Sequence, residues 1–325
     1  MKKILSIDGG GIKGVFPATI LAEFEKEVGQ PLYKYFDLIA GTSTGGIIAI
    51  GLSLGISAQE ILQLYQERGP AIFAQDQGAA ANWLMDKARS AKQLFWSPKY
   101  SNQTLEAELK AVLKDKRIGD AKTRLLVPAW NGKTNRVYIY KTAHSERLTT
   151  DYKDLAVDAA LATSAAPTFF QEYQTQNSVG LVDGGVWANN PASLAVVEGI
   201  GLGWERSEIK VLSIGCLDDV WVLPSKPSAR ALAFKQAGLF MTGQSHGSIG
   251  MAHVLTGDVG GANHKAIYRV SQPVPDNFYK LDDTSKIDEL RGRGFDEFRN
   301  QKPNLLPVFF AEEVGDFEPI HRNET

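Results

Sequence analysis

Short apolar runs and amphipathic stretches alternate along the first part of the chain. Residues 3–8 (KILSID) form an apolar run that is followed at once by glycines, which predicts a buried strand. Residues 15–28 place apolar side chains at helical spacing, and Gly29 is typical of a helix end. Residues 36–51 (FDLIAGTSTGGIIAIG) repeat this order of strand, turn and helix. Two consecutive units of this kind predict an α/β fold with parallel strands.

The rest of the chain is less regular but predicts further elements. Two strands at 124–130 and 136–142 are joined by Asn131-Gly132, a typical hairpin turn. Further strands are predicted at 209–215 and 265–271, and further helices at 57–65, 104–113, 155–166, 229–240 and 284–300. The least regular connection, 216–228, is the candidate boundary within the chain.

The composition is that of an ordinary globular protein of 325 residues, with 43% hydrophobic and 22% charged residues. A net charge of -2 gives no reason to expect a nucleic-acid partner. The single cysteine, Cys216, excludes internal disulfides and fits a reducing compartment. The N-terminal apolar run reaches Asp8 too early for a signal-peptide core, and no apolar stretch reaches the ~18–20 residues of a membrane span. These features predict a cytoplasmic protein whose membrane contact is peripheral.

Residues 69–100 break the pattern. Basic residues alternate there with aromatic ones, namely Lys87, Arg89, Lys92 and Lys99 with Phe95, Trp96 and Tyr100. This mixture suits a lipid headgroup interface. A surface helix that packs its aromatic side chains on the core is the alternative, and the pattern favours it.

Ser43 lies in the turn of the second strand–turn–helix unit, where residues 41–45 (GTSTG) match G-x-S-x-G. A serine between a strand and a helix in this pattern is held on a sharp turn with its hydroxyl exposed, which makes Ser43 the candidate nucleophile. Residues 243–247 (GQSHG) match the same pattern around Ser245. The residues before Ser245 form a poor strand and Gly250 interrupts the residues after it, so the context favours Ser43.

Gly9, Gly11 and Gly14 match G-x-G-x-x-G directly after the first predicted strand. This pattern alone is weak evidence for a dinucleotide site, which also requires an acidic residue near the end of the next strand. Asp37 stands instead at the start of that strand. Glycine N–H groups before a helix N-terminus suit an anion. The pattern therefore favours a transient oxyanion at this loop over a nucleotide phosphate.

A serine hydroxyl needs a base that accepts its proton. Histidine is the usual base, but none of the five histidines stands at a glycine turn beside an apolar strand. Asp183 does, because it follows Leu181-Val182 and precedes Gly184-Gly185. The histidines also lack metal-ligand spacing, and there is no acidic loop of the EF-hand type, so no metal is predicted.

Three motifs occur in a fixed order: Asp8-Gly9-Gly10-Gly11-x-x-Gly14, Gly41-x-Ser43-x-Gly45 and Asp183-Gly184-Gly185. Together with residues 162–170 (ATSAAPTFF) and Asn189-Asn190-Pro191, they resemble the patatin-like phospholipase family. The resemblance covers about residues 4–199. It implies a three-layer α/β/α fold with a mostly parallel central sheet. Residues 200–325 are then expected to be a C-terminal extension that completes this fold or packs on it.

That family is similar to cytosolic phospholipase A2, which uses a Ser-Asp dyad without histidine. The resemblance implies Ser43 as nucleophile, Asp183 as base and the backbone N–H groups of Gly10 and Gly11 as the oxyanion hole. Lys13 stands where many members have arginine, so the charge is kept and the bidentate fork is lost. The implied reaction is hydrolysis of phospholipid acyl esters through an acyl-enzyme. It needs no cofactor and takes place during transient contact with the inner face of the membrane.

Two functional hypotheses remain. Some bacterial family members resemble immune phospholipases that cyclic nucleotides switch on. The resemblance thus implies a cyclic dinucleotide as activator in antiviral defence, with gating placed beyond about residue 220. The alternative is a catalytically weak or inactive effector that binds an anion or nucleotide at the glycine-rich loop. Lipase activity with and without cyclic dinucleotides separates them, and the sequence leaves the oligomeric state open.

Overall fold

A computed structural model describes residues 1–74, 98–220, 229–260, 264–275 and 278–323, apart from the side chains of residues 229–237. Its strands are β1 (Lys2–Ile7), β2 (Leu38–Gly41), β3 (Arg124–Asn131), β4 (Arg136–Lys141), β5 (Tyr173–Gln174), β6 (Gly180–Asp183), β7 (Ile209–Ile214), β8 (Asp218–Val220), β9 (Ile267–Val270) and β10 (Pro273–Pro275). Its α-helices are α1 (Val15–Val28), α2 (Thr44–Ser53), α3 (Ala58–Gln63), α4 (Gly69–Ile72), α5 (Asn102–Leu113), α6 (Ala156–Ser164), α7 (Gly185–Ala188), α8 (Ala192–Gly201), α9 (Ala229–Thr256) and α10 (Ile287–Leu305).

The strand β1 lies in the middle of the main sheet. It pairs in parallel with β2 on one side and with β7 on the other. The sheet continues in parallel from β2 to β3 and from β7 to β9. Antiparallel pairing occurs beyond β3, where β4, β5 and β6 are added. Over the described residues the sheet has eight strands, and β8 and β10 pair separately.

Helices cover both faces of this sheet. On one face, α1, α2, α3, α5, α6 and α10 bury a large apolar cluster, in which Phe298 of α10 packs edge-on against Phe24 of α1 with ring centroids 4.9 Å apart. On the other face, α8 and α9 contribute to a smaller cluster that includes Val196 and Ala252. Because both faces of β1 and β2 are buried, apolar residues follow one another in these strands, as in Ile4-Leu5 and Leu38-Ile39-Ala40, rather than alternate with polar ones. The predicted three-layer α/β/α fold with a mostly parallel sheet is confirmed.

Most predicted elements are present with small shifts at their ends. The helix α1 begins and ends as predicted, and Gly29 terminates it with a φ of 65°. The start of α3 has the predicted cap, in which Ser57 Oγ accepts the N–H of Glu60 and the Glu60 carboxylate accepts the N–H of Ser57. The predicted hairpin is also present, since β3 and β4 pair antiparallel.

The largest difference from the sequence prediction concerns α9. The pattern predicts a helix up to residue 240, but α9 runs on to Thr256. Ser248, Ala252 and Thr256 are buried at intervals of four residues. The packing of these three residues stabilises the helix although it contains several glycines, each of which disfavours a helix by about 1 kcal/mol. Residues 243–247, the second G-x-S-x-G match, are therefore helical.

Two predictions concern residues that the structure covers only in part. The basic and aromatic stretch lies mostly outside the described residues, including Phe95 and Trp96, and so does most of the candidate boundary at 216–228. Within the described ranges, no helix combines the length and the apolarity that are needed to cross a bilayer.

Candidate active site

Ser43 lies at the junction of β2 and α2, on a sharp turn between strand and helix. Its backbone has a φ of 56° and a ψ of -124°. Such a conformation costs a non-glycine residue about 1–3 kcal/mol, so the surrounding contacts must impose it. A Cβ on Gly45 would lie 2.3 Å from the carbonyl oxygen of Ile7, and one on Gly41 would lie 2.0 Å from the carbonyl oxygen of Gly45. Only glycine at these two positions lets α2 start so close to β1.

Thr163 of α6 fixes the backbone of Ser43. Its Oγ1 accepts the N–H of Ser43 at 3.0 Å and donates to the carbonyl oxygen of Pro128 at 2.6 Å. Thr163 is fully buried, and its bond to Pro128 is buried while its bond to Ser43 is partly buried. One of the N–H groups left without a partner at the start of α2 is thereby satisfied, which helps to hold the turn in place.

Asp183 is the last residue of β6 and lies beside Ser43. Its Oδ1 accepts the N–H of Gly185 at 2.6 Å. Ser43 and Asp183 line the same cavity, and the neighbouring Ser43 hydroxyl lowers the pKa of the Asp183 carboxyl. The turn after Asp183 is tight, since a Cβ on Gly184 would lie 2.3 Å from the carbonyl oxygen of Pro128. The structure thus brings together the two residues that the sequence singles out, although 140 positions separate them.

The environment of Asp183 favours its protonated form. The side chain is only 5% exposed. Burial raises the pKa of Asp183 to about 6, and the neighbouring Ser43 hydroxyl and the hydrogen bond from the Gly185 N–H offset part of this rise. A carboxylate with a higher pKa is a stronger base, so this site is suited to accepting the proton of a serine hydroxyl.

The loop from Gly9 to Gly11 lies against the serine turn. A Cβ on Gly9 would be 3.1 Å from the Cβ of Ser43. The N–H of Gly9 donates to the carbonyl oxygen of Asn189 at 3.0 Å. Gly11 has a φ of 57°. Among the described residues, the N–H groups of Gly10 and Gly11 have no acceptor, and both residues line the cavity that contains Ser43. Two such free donors beside a nucleophile suit a developing oxyanion.

A cavity of about 420 Å³ opens beside Ser43 and Asp183. Its walls are mostly apolar and include Ile47, Ile72, Phe73, Leu105, Phe169 and Phe170. The described lining contains no histidine. Apolar walls keep water away from the two polar side chains and suit a hydrocarbon chain.

The other residues around the glycine loop have packing or ionic contacts. A Cβ on Gly14 would lie 2.2 Å from Oγ1 of Thr44, so this glycine lets the loop pack on α2. The Nζ of Lys13 is 3.3 Å from Oδ2 of Asp219. The Sγ of Cys216 donates to the carbonyl oxygen of Asp8 at 3.2 Å, and burial raises the pKa of the Cys216 thiol.

Ser245, in the second G-x-S-x-G match, is part of α9 and not of a strand-to-helix turn. Its Oγ donates to Oδ2 of Asp8 at 3.4 Å and accepts from Nδ2 of Asn190 at 3.2 Å. Gln244 lines the cavity and contacts the segment after Asp183. The match is therefore not a second nucleophile turn, but its residues border the same site.

Sequence reasoning gave no role to Thr163, Gln244 or Arg269. Both terminal nitrogens of Arg269 contact the Asp8 carboxylate, at 2.9 and 2.7 Å. The one signal for Arg269 in the sequence is its charge inside the otherwise apolar strand β9 (IYRV), because a charged residue in a buried strand requires a partner. Thr163 resembles its small neighbours in α6, and Gln244 is hidden in the second serine pattern.

Comparison with known proteins bears on the same regions. The family model described as patatin-like phospholipase matches residues 5–196. A cGAMP-activated phospholipase from Pseudomonas aeruginosa is 35% identical over 66% of this chain and 62% of its own length. One from Vibrio cholerae is 32% identical over 74% of this chain and 71% of its own length. Patatin-like protein 2 from Oryza sativa subsp. indica is 35% identical over 60% of this chain and 52% of its own length. The match spans less than two thirds of the Pseudomonas and rice proteins.

The fold is of the three-layer α/β/α class, with a serine turn, a glycine loop and an Asp-Gly-Gly turn around one cavity. The family model matches more than half of the chain. The chain belongs to the patatin-like phospholipase family, and the resemblance predicted from the three sequence motifs is confirmed.

Proposed function

We propose that this protein is a lipid acyl hydrolase of the phospholipase A type, in which Ser43 and Asp183 act as a catalytic dyad. The observation that carries the proposal is the placement of Ser43 and the buried Asp183 carboxyl together at the wall of an apolar cavity, where the Ser43 hydroxyl is near enough to lower the pKa of that carboxyl. Membership of the patatin-like phospholipase family supports the reaction class. The substrate class follows from the cavity, whose apolar walls suit an acyl chain.

In the acylation step, Asp183 accepts the proton of the Ser43 hydroxyl while Oγ attacks the carbonyl carbon of the ester. The tetrahedral intermediate carries a negative oxygen, which accepts hydrogen bonds from the N–H groups of Gly10 and Gly11. When the intermediate collapses, the bond to the alcohol oxygen breaks and Asp183 returns its proton to that oxygen. The lysolipid leaves, and the fatty acyl group remains as an ester on Ser43.

In the deacylation step, water attacks the acyl carbon and Asp183 accepts a proton from that water. The same two N–H groups stabilise the second oxyanion. Collapse of this intermediate breaks the bond to Ser43 Oγ, which takes the proton back from Asp183, and the fatty acid is released. The dyad needs no histidine, because one buried carboxylate accepts and returns the proton in both steps.

The contacts of the glycine loop favour this role over nucleotide binding. The N–H of Ile12 donates to the carbonyl oxygen of Leu281 at 2.8 Å, and the N–H of Lys13 donates to that of Gly10 at 3.2 Å. Among the loop donors in the described chain, those of Gly10 and Gly11 remain for an anion. A phosphate cradle uses a longer run of free N–H groups. The catalytically inactive, nucleotide-binding alternative is therefore not favoured.

The test is mass spectrometry of phospholipid vesicles incubated with the wild type and with Ser43→Ala and Asp183→Asn. We expect free fatty acid and lysophospholipid with the wild type, and a loss of about a thousandfold or more in both variants. The acyl chain kept by the lysophospholipid distinguishes A1 from A2 cleavage. Ser207→Ala is the matched control, because Ser207 is exposed and is not among the residues that line the cavity.

Circular dichroism and thermal unfolding establish that each variant is folded. Near-normal hydrolysis by Asp183→Asn would overturn the dyad, and near-normal hydrolysis by Ser43→Ala would overturn the nucleophile. A fluorophosphonate probe gives an independent readout, since it should label the wild type and Ser207→Ala but not Ser43→Ala.

We further propose that a cyclic dinucleotide activates the enzyme. The activated enzyme then acts in antiviral defence at the inner face of the cell membrane. The names of the Pseudomonas and Vibrio relatives support the activator. The name of the rice relative mentions none, so constitutive activity is the contrary outcome. Initial rates on phospholipid vesicles with cGAMP and other cyclic dinucleotides decide between them. We expect a rise of about tenfold or more with one of these nucleotides, and full activity without any would contradict gating.

Residues 200–325 are proposed to be part of the same acyl hydrolase unit. Support comes from β7 and β9, which extend the central sheet from β1, and from α10, which packs on α1. Limited proteolysis tests this proposal. We expect no stable fragment that ends near residue 200, and recovery of such a folded fragment would contradict a single unit.

A further inference from the structure

The helix α9 lies outside the region that the family model matches, yet two consecutive residues of it contact the candidate active site. Gln244 binds the segment after Asp183, and Ser245 binds the residue that precedes the glycine loop. The site has two halves, the glycine loop and the Asp183 turn, which come from opposite ends of the matched region. One helix therefore touches both of them.

The Gln244 side chain spans the short helix α7, which begins two residues after Asp183. Its Nε2 donates to the carbonyl oxygen of Val186 at 3.1 Å, and its Oε1 accepts the N–H of Asn189 at 3.2 Å. A single amide group thus contacts both the first turn and the C-terminal cap of α7, the short helix that directly follows the turn of the proposed base. Because both the donor and the acceptor of the amide are used, few other side chains can replace it.

Asn189 continues this connection to the glycine loop. Its carbonyl oxygen accepts the N–H of Gly9 at 3.0 Å, and its Nδ2 donates to the carbonyl oxygen of Gly9 at 3.4 Å. Asn189 is 7% exposed and also lines the cavity. A shift of Asn189 would therefore move Gly9 and, with it, the N–H groups of Gly10 and Gly11.

Ser245 provides a second connection. Its Oγ donates to Oδ2 of Asp8 and accepts from Nδ2 of Asn190. Arg269 also holds Asp8, since its Nη1 contacts Oδ1 and its Nη2 contacts the same Oδ2 as Ser245. The residue before the glycine loop is thus tied to α9 and, through Asn190, to the Asp-Gly-Gly segment.

We propose that Gln244 and Ser245 are positioning residues, through which α9 sets the spacing between the glycine loop and the Asp183 turn. The expected effect on kcat rests on the proposed function, whereas the expected effect on hydrogen exchange does not. We name this pair of connections the α9 latch. It also gives the C-terminal part of the chain a direct route to the active site, since a displacement of α9 would move both halves at once.

The docking of α9 does not depend on the latch. Ser248 Oγ accepts the N–H of Ser193 at 3.0 Å and donates to Ser193 Oγ at 2.9 Å, and Ala252 is fully buried. These contacts hold the helix on α8. A variant that lacks only the Gln244 amide is therefore expected to fold.

The experiment compares Gln244→Ala and Gln244→Glu with His246→Ala. His246 is exposed on the same helix and serves as the matched control. Hydrogen–deuterium exchange is followed by mass spectrometry in peptides that cover residues 8–14 and 184–193. Initial rates are measured on a soluble acyl ester, so that kcat and KM are obtained separately across pH.

For Gln244→Ala we expect faster exchange in both peptides and a kcat lowered about 10- to 100-fold, with KM changed less than about twofold, because misplaced groups weaken the transition state more than substrate binding. Gln244→Glu keeps the acceptor for Asn189 and loses the donor for Val186. It should recover part of kcat and move the acidic limb of the pH profile to higher pH, because it adds a negative charge near Asp183. His246→Ala should match the wild type in both readouts.

Unchanged exchange in both peptides of Gln244→Ala would overturn the latch, and so would a kcat loss as large in His246→Ala. If the wild type hydrolyses no ester, faster exchange in Gln244→Ala would support the latch while the proposed function fails. If the wild type is active and Gln244→Ala keeps its kcat, the positioning role is wrong and the proposed dyad is untouched.

Discussion

Arg269 and Asp8 form a two-pronged ion pair directly before the glycine loop, with nitrogen–oxygen distances of 2.9 and 2.7 Å. Asp8 is 3% exposed, and burial raises the pKa of its carboxyl while Arg269 opposes that rise. The pair lies 261 positions apart in the sequence and joins β9 to the C-terminal end of β1. The stability of the loop therefore depends on a residue far beyond the glycine motifs at the start of the chain.

Arg269→Met should lower the free energy of unfolding by about 3–5 kcal/mol, because it leaves a buried carboxylate without its partner. The double variant Asp8→Asn, Arg269→Met should recover a large part of this loss. Urea unfolding at neutral pH measures both. Arg147→Met is the control, since Arg147 contacts Glu198 from a side chain that is 67% exposed, and it should cost less than about 1 kcal/mol. A loss of that small size for Arg269→Met would contradict a role of the pair in stability.

Thr163→Val should disturb the serine turn. Valine has nearly the same shape but removes the acceptor of the Ser43 N–H, so a strained and partly buried backbone group loses its partner. We expect a loss of about 1–3 kcal/mol in the free energy of unfolding and slower labelling of Ser43 by a fluorophosphonate probe. Thr163→Ser keeps the hydroxyl and loses one methyl group, so it should cost about 1 kcal/mol and label at nearly the normal rate. Equal labelling by the valine and serine variants would show that the bond is dispensable.

The loss of activity at low pH should follow the protonation of the Asp183 carboxylate. The base must be ionised, and burial raises its pKa to about 6. On a soluble ester, kcat/KM should be level above this pH and fall about tenfold per pH unit below it. The measurement is a pH profile of initial rates under conditions where the protein stays folded. An activity that remains constant down to pH 4 would exclude Asp183 as the base.

The same shift in the pKa of Asp183 predicts how its replacement affects stability. A carboxyl whose pKa rises from 3.8 to about 6 on folding destabilises the folded state above that pH, by about 3 kcal/mol at most. The penalty is absent below pH 3.8, where the carboxyl is protonated in both states, and it reaches its full size as the pH rises from 3.8 through 6. Asp183→Asn should therefore unfold at a higher urea concentration than the wild type at pH 7.5, and the difference should shrink towards pH 4.5. A less stable Asp183→Asn at pH 7.5 would contradict this assignment.

The cavity predicts a preference that depends on acyl chain length. Ile47 lies on α2, four residues after Ser43, and lines the cavity. Ile47→Trp should narrow the space beside the nucleophile, so hydrolysis of long-chain esters should fall about tenfold or more relative to acetyl esters. The control is Val137→Trp, at a position that is 54% exposed on β4. Rates on p-nitrophenyl esters of two to sixteen carbons test this, and a uniform loss at all lengths would place the acyl chain elsewhere.

The sequence predicted those parts of the site that depend on local pattern. Ser43 comes just after a short apolar strand and two residues before Gly45, and Asp183 ends a short strand and directly precedes Gly184, so each turn is built from residues that are close together in the chain. The strands and helices of the first half were predictable for the same reason. Periodicity reports burial over a few turns, and β1, β2, α1 and α2 are buried along most or all of their length.

The parts that escaped prediction depend on contacts between distant segments. The full length of α9 is set by packing of Ser248, Ala252 and Thr256, which overrides the weak helix preference of its glycines. Gln244 and Arg269 contact residues 55 and 261 positions away, respectively, and no local pattern encodes such pairings. Thr163 belongs to a helix that the sequence predicts, but its bond to Ser43 depends on how α6 crosses the start of α2.

The central position of β1 has a consequence for shortened forms of this protein. A chain that stopped near residue 199 would keep Ser43, Asp183 and all the glycine motifs, but β1 would lose β7 as its neighbour. Six residues of sequence KKILSI would then present an open row of N–H and C=O groups to solvent. Exposed apolar edges of this kind recruit other chains and promote aggregation. The later part of the sequence, which carries neither member of the proposed dyad, thus also keeps the first strand from pairing with other molecules.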